Sequence, residues 1–297
     1  MNSHFHMGPR KSIVGYYEGK ICAFGTMHGK EIAVSKAFES ALCMDVVVPP
    51  GIDTDQLGTF TGEIPRPSSA EEVAVTKARM AMERTGLKIG LGSEGSYGPH
   101  PQIPFIPVGI EMMILVDEDR GYKIREYLVD DRPVFGHRVV GSISELAAFL
   151  IENRFPSHSV IVRPNVSTRE GGPLHKGISS PTRLADLIKE CARASDDGKA
   201  FVQTDMRAHM NPTRMATIQR LAEKLAARIG QSCPRCSSPG YGQIGIEAGL
   251  ACETCSLPTE QMKYQVYGCS FCANLEYRPR KDGRLRADPM TCAHCNP

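Results

Sequence analysis

Apolar residues recur at helical spacing in Met215, Ile218, Leu221, Leu225 and Ile229, so the chain predicts a helix over 212–229. Asn211 supplies its cap, Pro212 suits its first turn and Gly230 ends it. Mixed apolar and polar periodicity predicts further helices over 30–42, 69–85, 144–153 and 182–194. Short apolar runs predict strands over 20–25, 45–48, 89–92, 111–116, 160–163 and 200–204. Strands and helices alternate, which implies an α/β chain with a mixed sheet flanked by helices. Residues 136–142 form a seam between two α/β halves, and residues 231–232 lead into a segment of different character. The expected organisation is an α/β domain over 1–140, a second α/β segment over 141–230 packed on the first, and a small C-terminal domain over 231–297.

Composition narrows the class. Of 297 residues, 41% are hydrophobic and 23% charged, the balance of a globular chain. A net charge of +2 supplies no global field for nucleic acid or membrane. No apolar run approaches the ~20 residues that span a bilayer. Residues 1–10 lack the apolar stretch of a secretory signal. The expectation is a cytoplasmic protein without a membrane partner.

Cysteine changes the picture. Eight of 11 cysteines form four Cys-x-x-Cys pairs, Cys233/Cys236, Cys252/Cys255, Cys269/Cys272 and Cys292/Cys295. In a reducing compartment this pattern favours metal over disulfides. A two-residue gap lets both thiolates of a pair face one ion, and two pairs complete a tetrahedral zinc site. Eight thiolates thus imply two structural Zn2+ ions in a zinc-ribbon-like domain. The intervals between pairs are 15, 13 and 19 residues. Sequential pairing is the simplest arrangement, and a crossed pairing is the alternative. Arg278, Arg280, Lys281, Arg284 and Arg286 lie near Tyr277 and Phe271, a composition that suits nucleic acid as well as a solvated hairpin.

Three stretches of the α/β region carry chemistry. Residues 25–31 run Gly-Thr-Met-His-Gly-Lys-Glu between a predicted strand and helix, so Thr26 and Lys30 suit a phosphate at a helix start. Residues 53–66 hold Asp53, Asp55, Glu63 and Arg66, and residues 93–101 hold Glu94 and His100 in a Gly-rich loop leaving a strand. At the carboxyl ends of strands, Glu63, Glu94 and Asp53 or Asp55 would bind Mg2+, while Lys30, Arg66 and Lys77 would meet phosphate. Residues 204–214 are read as extended, with Asp205, Arg207 and His209 in one row. There Asp205 would orient His209, and Arg207 or Arg214 would bind an anion. His100 and His209 are the candidate proton carriers.

The loops at 58–63, 93–101 and 205–215, with the ending Cys-Ala-His-Cys-Asn-Pro, resemble a bacterial family of unknown function over nearly the whole chain. Over residues 20–130 the chain is also similar to the inosine/xanthosine triphosphate pyrophosphatase superfamily. Thr26 and Lys30 match its phosphate-binding loop, with His28 in place of Asn and the lysine one residue early. Glu94 matches its acid–glycine loop, Ala74 to Ala78 its Ala-x-x-Lys-Ala pattern, and its Asp-Asp-Ser-Gly signature is absent. That resemblance implies Mg2+-assisted attack of water on a nucleotide phosphate. The expected function is a metal-dependent hydrolase acting on a nucleotide or another phosphate-bearing small molecule. The alternative is a non-enzymatic module whose zinc domain binds nucleic acid or a protein partner.

Overall fold

A computed structural model describes residues 15–58, 68–99, 105–166 and 172–297. The first half builds a five-stranded mixed sheet from β1 (Ile21–Gly25), β2 (Asp45–Val47), β3 (Ile89–Pro99), β4 (Pro107–Asp117) and β5 (Tyr122–Asp130). Their order is β2-β1-β3-β4-β5. β1 runs parallel to β2 and β3, whereas β3, β4 and β5 form an antiparallel meander. Helix α1 (Glu31–Leu42) covers one face and α2 (Ala70–Thr85) the other.

The seating of α2 follows from its sequence. Ser69 and Glu72 form a reciprocal capping box, and Gly86 ends the helix at φ 73°. Its inner face is small, with Ala74, Ala78 and Ala81 fully buried. The strands beneath present glycines. A Cβ on Gly25 would lie 1.9 Å from the Lys77 carbonyl oxygen, and one on Gly92 would lie 1.8 Å from that of Ala74. Helix and sheet backbones therefore touch, and this brings Lys77 down onto the strand ends.

The second half contributes β6 (His137–Val140), α3 (Ala147–Glu152), β7 (Val160–Pro164), β8 (His175–Ile178), α4 (Pro181–Ala194) and β9 (Ala200–Thr204). These strands form an antiparallel sheet in the order β6-β9-β7-β8. Leu146, Phe149, Leu184, Leu187, Ile188 and Cys191 pack on Val160, Val162 and Val202, so the helices cover one face. The last helix of this half, α5 (Pro212–Ile229), packs instead on α1 and β5, with Ile218, Leu221, Leu225 and Ile229 in the first core. Asn211 caps it by accepting from the Arg214 amide. The first sheet thus lies between α2 and the α1/α5 pair, and the return of α5 brings the two halves together.

Six predicted strands and five predicted helices are present, several with shifted ends. Two expectations need correction. Residues 93–99, read as a loop, continue β3, because the ladder with β4 runs unbroken from Ser93↔Met113 to Pro99↔Pro107. Residues 205–210 are not extended: β9 stops at Thr204, and Ala208–Met210 form a 3-10 turn. Strands β5, β6 and β8 were not predicted. β5 alternates buried Tyr122, Ile124 and Glu126 with exposed Lys123 and Arg125, a period of two hidden by its charged outer face.

The C-terminal segment is a three-stranded antiparallel sheet of β10 (Gly242–Ala248), β11 (Met262–Gly268) and β12 (Leu275–Pro279), with the cysteine turns at its ends. No helix among the described residues is long and apolar enough to cross a membrane.

Candidate functional site

The loops at the carboxyl ends of β1 and β9 meet in one cleft. It is lined by Thr26, His28, Lys30, Asp55, Lys77, Glu94, Lys176, Asp205, Arg207 and Arg214, among others. Its enclosed space is about 40 Å3. A water molecule needs ~10–15 Å3, so the enclosed part has room for a few waters or a group of that size.

Each wall has a physical cause. The turn from β1 to α1 passes through His28 at φ 67° and Gly29 at φ 72°, and this left-handed pair sets Lys30 at the start of α1. His28 is a non-glycine residue held in this sparsely populated region, a form of strain that clusters at functional sites. Its Nε2 lies 3.3 Å from Asp55 Oδ1, and its ring stacks on His209 at 5.2 Å between centroids. Burial lowers the His28 pKa, opposed by Asp55. From α2, Lys77 Nζ reaches Glu94 Oε2 at 2.6 Å, with both residues buried.

The deepest element is Arg214. Its Nε donates to Glu111 Oε1 at 2.6 Å, and both side chains are 1% exposed. Another Arg214 nitrogen donates to the Met206 carbonyl, and Tyr97 Oη donates to Glu111 Oε1 at 2.8 Å. Gly95 makes room for this group, since a Cβ there would lie 2.6 Å from Glu111 and 2.8 Å from Arg214. Asp205, fully buried, accepts from Arg207 Nε at 3.0 Å and from the Gly177 amide at 3.0 Å.

Lys30 differs from the other cations. It is 8% exposed, and its Nζ donates to Ser93 Oγ at 3.1 Å. Among the described residues it forms no ion pair. Burial first, and the neighbouring Arg214 second, pull its pKa down to about 7.

Of the residues singled out from the sequence, Thr26, Lys30, Asp55, Lys77, Glu94, Asp205 and Arg207 line this cleft. His209 reaches its edge through His28. The expected Asp205–His209 pairing is not formed: the 3-10 turn swings His209 away, and Asp205 binds Arg207. Glu63, Arg66 and His100 lie outside the described residues. Glu94 is tied to Lys77 and Asp55 to His28, so these two expected Mg2+ ligands serve as partners of cationic or imidazole groups. Among the described residues, the only clusters fit to hold a metal are made of cysteine. Sequence reasoning passed over Glu111, Ser93 and Lys176. A signal existed for Glu111, which shares a strand face with buried Met113 and Leu115 and therefore had to be buried and paired.

The cysteines form two tetrads, Cys233/Cys236/Cys269/Cys272 and Cys252/Cys255/Cys292/Cys295. The first pair joins the third and the second joins the fourth, so the sequential arrangement is replaced by the crossed one. The antiparallel sheet causes this, since β10 and β11 turn back on each other and bring the first and third turns to the same end. Sulfur separations of 3.6–3.8 Å match the ~3.8 Å edge of a tetrahedron with Zn–S bonds of ~2.3 Å. Arg235 and Phe271 amides donate to Cys233 and Cys269 sulfurs. Both tetrads could hold a metal ion, and zinc fits them. Four protein ligands leave no open position, which makes the sites structural.

The first tetrad sits against the α/β body. Tyr122 Oη and Ser238 Oγ are 3.0 Å apart, Phe271 packs edge-on to Tyr122, and Arg228 Nε donates to the Gly240 carbonyl at 3.1 Å. In the basic stretch no strand follows the turn after β12 among the described residues, so it forms no hairpin; Arg278 is bound to Glu276 and lies 3.9 Å over the Tyr267 ring, and Arg280 is bound to Asp282.

No curated protein and no solved structure matches the chain. A family model described as a domain of unknown function, DUF6671, matches residues 77–297. The match takes in Lys77, Glu94, Glu111, Arg207, Arg214 and all eight cysteines of the tetrads, and the turn bearing His28 and Lys30 precedes it. With about three quarters of its length so matched, the chain belongs to the DUF6671 family.

Proposed function

We propose that the cleft binds a small phosphate-bearing molecule, with a hydrolase the enzyme class that best fits it. One observation carries this reading: five cationic side chains, Lys30, Lys77, Lys176, Arg207 and Arg214, converge on one small enclosed space, and Lys30 has no carboxylate partner among the described residues. The carboxylates there are committed elsewhere, Glu94 to Lys77, Asp205 to Arg207 and Glu111 to Arg214. A dianion entering the cleft relieves the repulsion among its buried cations. His28, oriented by Asp55 in the same cleft, would be the proton carrier in this reading. In this reading, charge on the phosphate is offset by side chains.

The test is calorimetric titration of the zinc-loaded chain with inorganic phosphate, followed by a phosphate-release assay on a panel of nucleoside triphosphates and sugar phosphates, with and without Mg2+. Binding of phosphate without Mg2+, lost in Lys30→Met, is expected. Equal binding by the wild type and Lys30→Met would place the anion elsewhere. A strict Mg2+ requirement for binding would restore an acidic metal site to the cleft.

A further inference from the structure

We propose that Lys30 is a nucleophilic amine that forms an imine with a carbonyl-bearing small molecule entering the cleft. This goes beyond the phosphate reading and rests on it only for the handle by which such a molecule would be held.

The geometry is that of a reactive lysine. A lysine kept only for structure is exposed, or is buried with a carboxylate. Lys30 is buried at the cleft wall, and its described hydrogen bond goes to a neutral hydroxyl, Ser93 Oγ, at 3.1 Å. The nearby carboxylates Glu111 and Glu94 favour its charged form, but Glu94 is paired with Lys77 and Glu111 with Arg214 and Tyr97, and burial together with two nearby cations outweighs them. The groups facing it include two cations, Arg214 and Lys77, which disfavour a third charge. Burial beside another cation is how enzymes activate a lysine amine toward carbonyl carbon. With its pKa near 7, about half of Lys30 is neutral at pH 7. An ordinary lysine is neutral to about one part in 2,000 there, so Lys30 holds a ~10^3-fold larger share of the reactive form.

The step balances without an oxidant or reductant. The amine lone pair forms a C–N bond to the carbonyl carbon, and the π pair moves to oxygen, which takes a proton. The nitrogen, positively charged after the attack, supplies that proton and regains its lone pair. A second proton lets the oxygen leave as water while the lone pair closes the C=N bond. Loss of the remaining N–H proton returns the second proton. His28, held by Asp55 in the same cleft, is placed to carry the proton. Hydrolysis reverses the sequence.

The experiment uses the zinc-loaded full chain at pH 7 with glycolaldehyde phosphate or glycolaldehyde, trapped by borohydride and mapped by peptide mass spectrometry. Lys30 is expected to be labelled at least tenfold faster than exposed Lys36 in the same molecule. Inorganic phosphate is expected to suppress that label and leave Lys36 unaffected. Equal labelling of the two lysines would overturn the proposal, and since the comparison is internal to the wild type it needs no variant to fold. Preferential Lys30 labelling by both aldehydes, without protection by phosphate, would support the amine chemistry while refuting the phosphate-binding reading. Phosphate binding without preferential labelling would do the reverse.

Discussion

Replacing Arg214 with methionine tests the central link of the fold. Arg214 on α5 and Glu111 on β4 meet at 2.6 Å, each 1% exposed, so water screens them little. Arg214→Met removes the cation and keeps much of the volume. Glu111 then keeps only the Tyr97 hydroxyl at 2.8 Å, and the Met206 carbonyl loses its donor. Breaking one partner of a buried pair costs about 3–5 kcal/mol, because an uncompensated charge stays behind. Glu111→Leu should cost a similar amount by stranding the arginine. The double variant is expected to lie within about 2 kcal/mol of the wild type, as a buried pair contributes little beyond an apolar replacement. The cycle should therefore return a coupling of several kcal/mol. The chain has no tryptophan, so urea unfolding of the zinc-loaded protein is followed by far-UV circular dichroism. A cost below about 1 kcal/mol for Arg214→Met would show that the pair is solvated, and the argument for a dry, cationic cleft would fall with it.

Lys30→Met should lose phosphate binding yet raise stability at neutral pH by about 1–3 kcal/mol, since an unpaired buried amine gives way to an apolar chain. The sign of the pH dependence follows from the depressed pKa. Between pH 7 and about 10.5 the unfolded chain holds the Lys30 proton and the folded chain does not, so wild-type stability rises with pH across that window. Denaturant midpoints measured at pH 7 and 9 should show this rise in the wild type and lack its Lys30 share in the variant. Metal analysis should find two zinc ions per chain, with one lost in Cys236→Ser and one in Cys255→Ser. Only the former is expected to lower the midpoint of the α/β body, because the tetrad containing Cys236 carries the contacts to Tyr122 and Arg228. Equal effects of the two variants would contradict that docking.

The zinc domain was the most legible part, and for a local reason. The spacing inside each Cys-x-x-Cys pair sets how both sulfurs face one ion, whatever the rest of the chain does. Which pairs share an ion was not local. It depends on the strands between them, and the antiparallel turn of β10 onto β11 brings the first pair to the third. The helices were legible from periodicity, and the last also from its cap at Asn211. β5 was passed over because its outer face is charged, although Tyr122, Ile124 and Glu126 keep the period of two. The residues at 93–99 were read as a loop because glycines and polar groups crowd there. In the fold Gly95 admits the Arg214–Glu111 group, and the ladder with β4 continues through it.

The amino-acid order by itself determined the five helices, six of the strands, the cysteine ligands for metal and most of the charged groups that line the cleft, because periodicity and ligand spacing act over a few residues. Only the tertiary structure decided their partners. Glu94 pairs with Lys77, Asp205 takes Arg207 instead of His209, and Lys30 donates to a hydroxyl. Burial and charge pairing are settled by groups far apart in the chain, 103 positions in the case of Arg214 and Glu111, and no short-range pattern encodes such a distance.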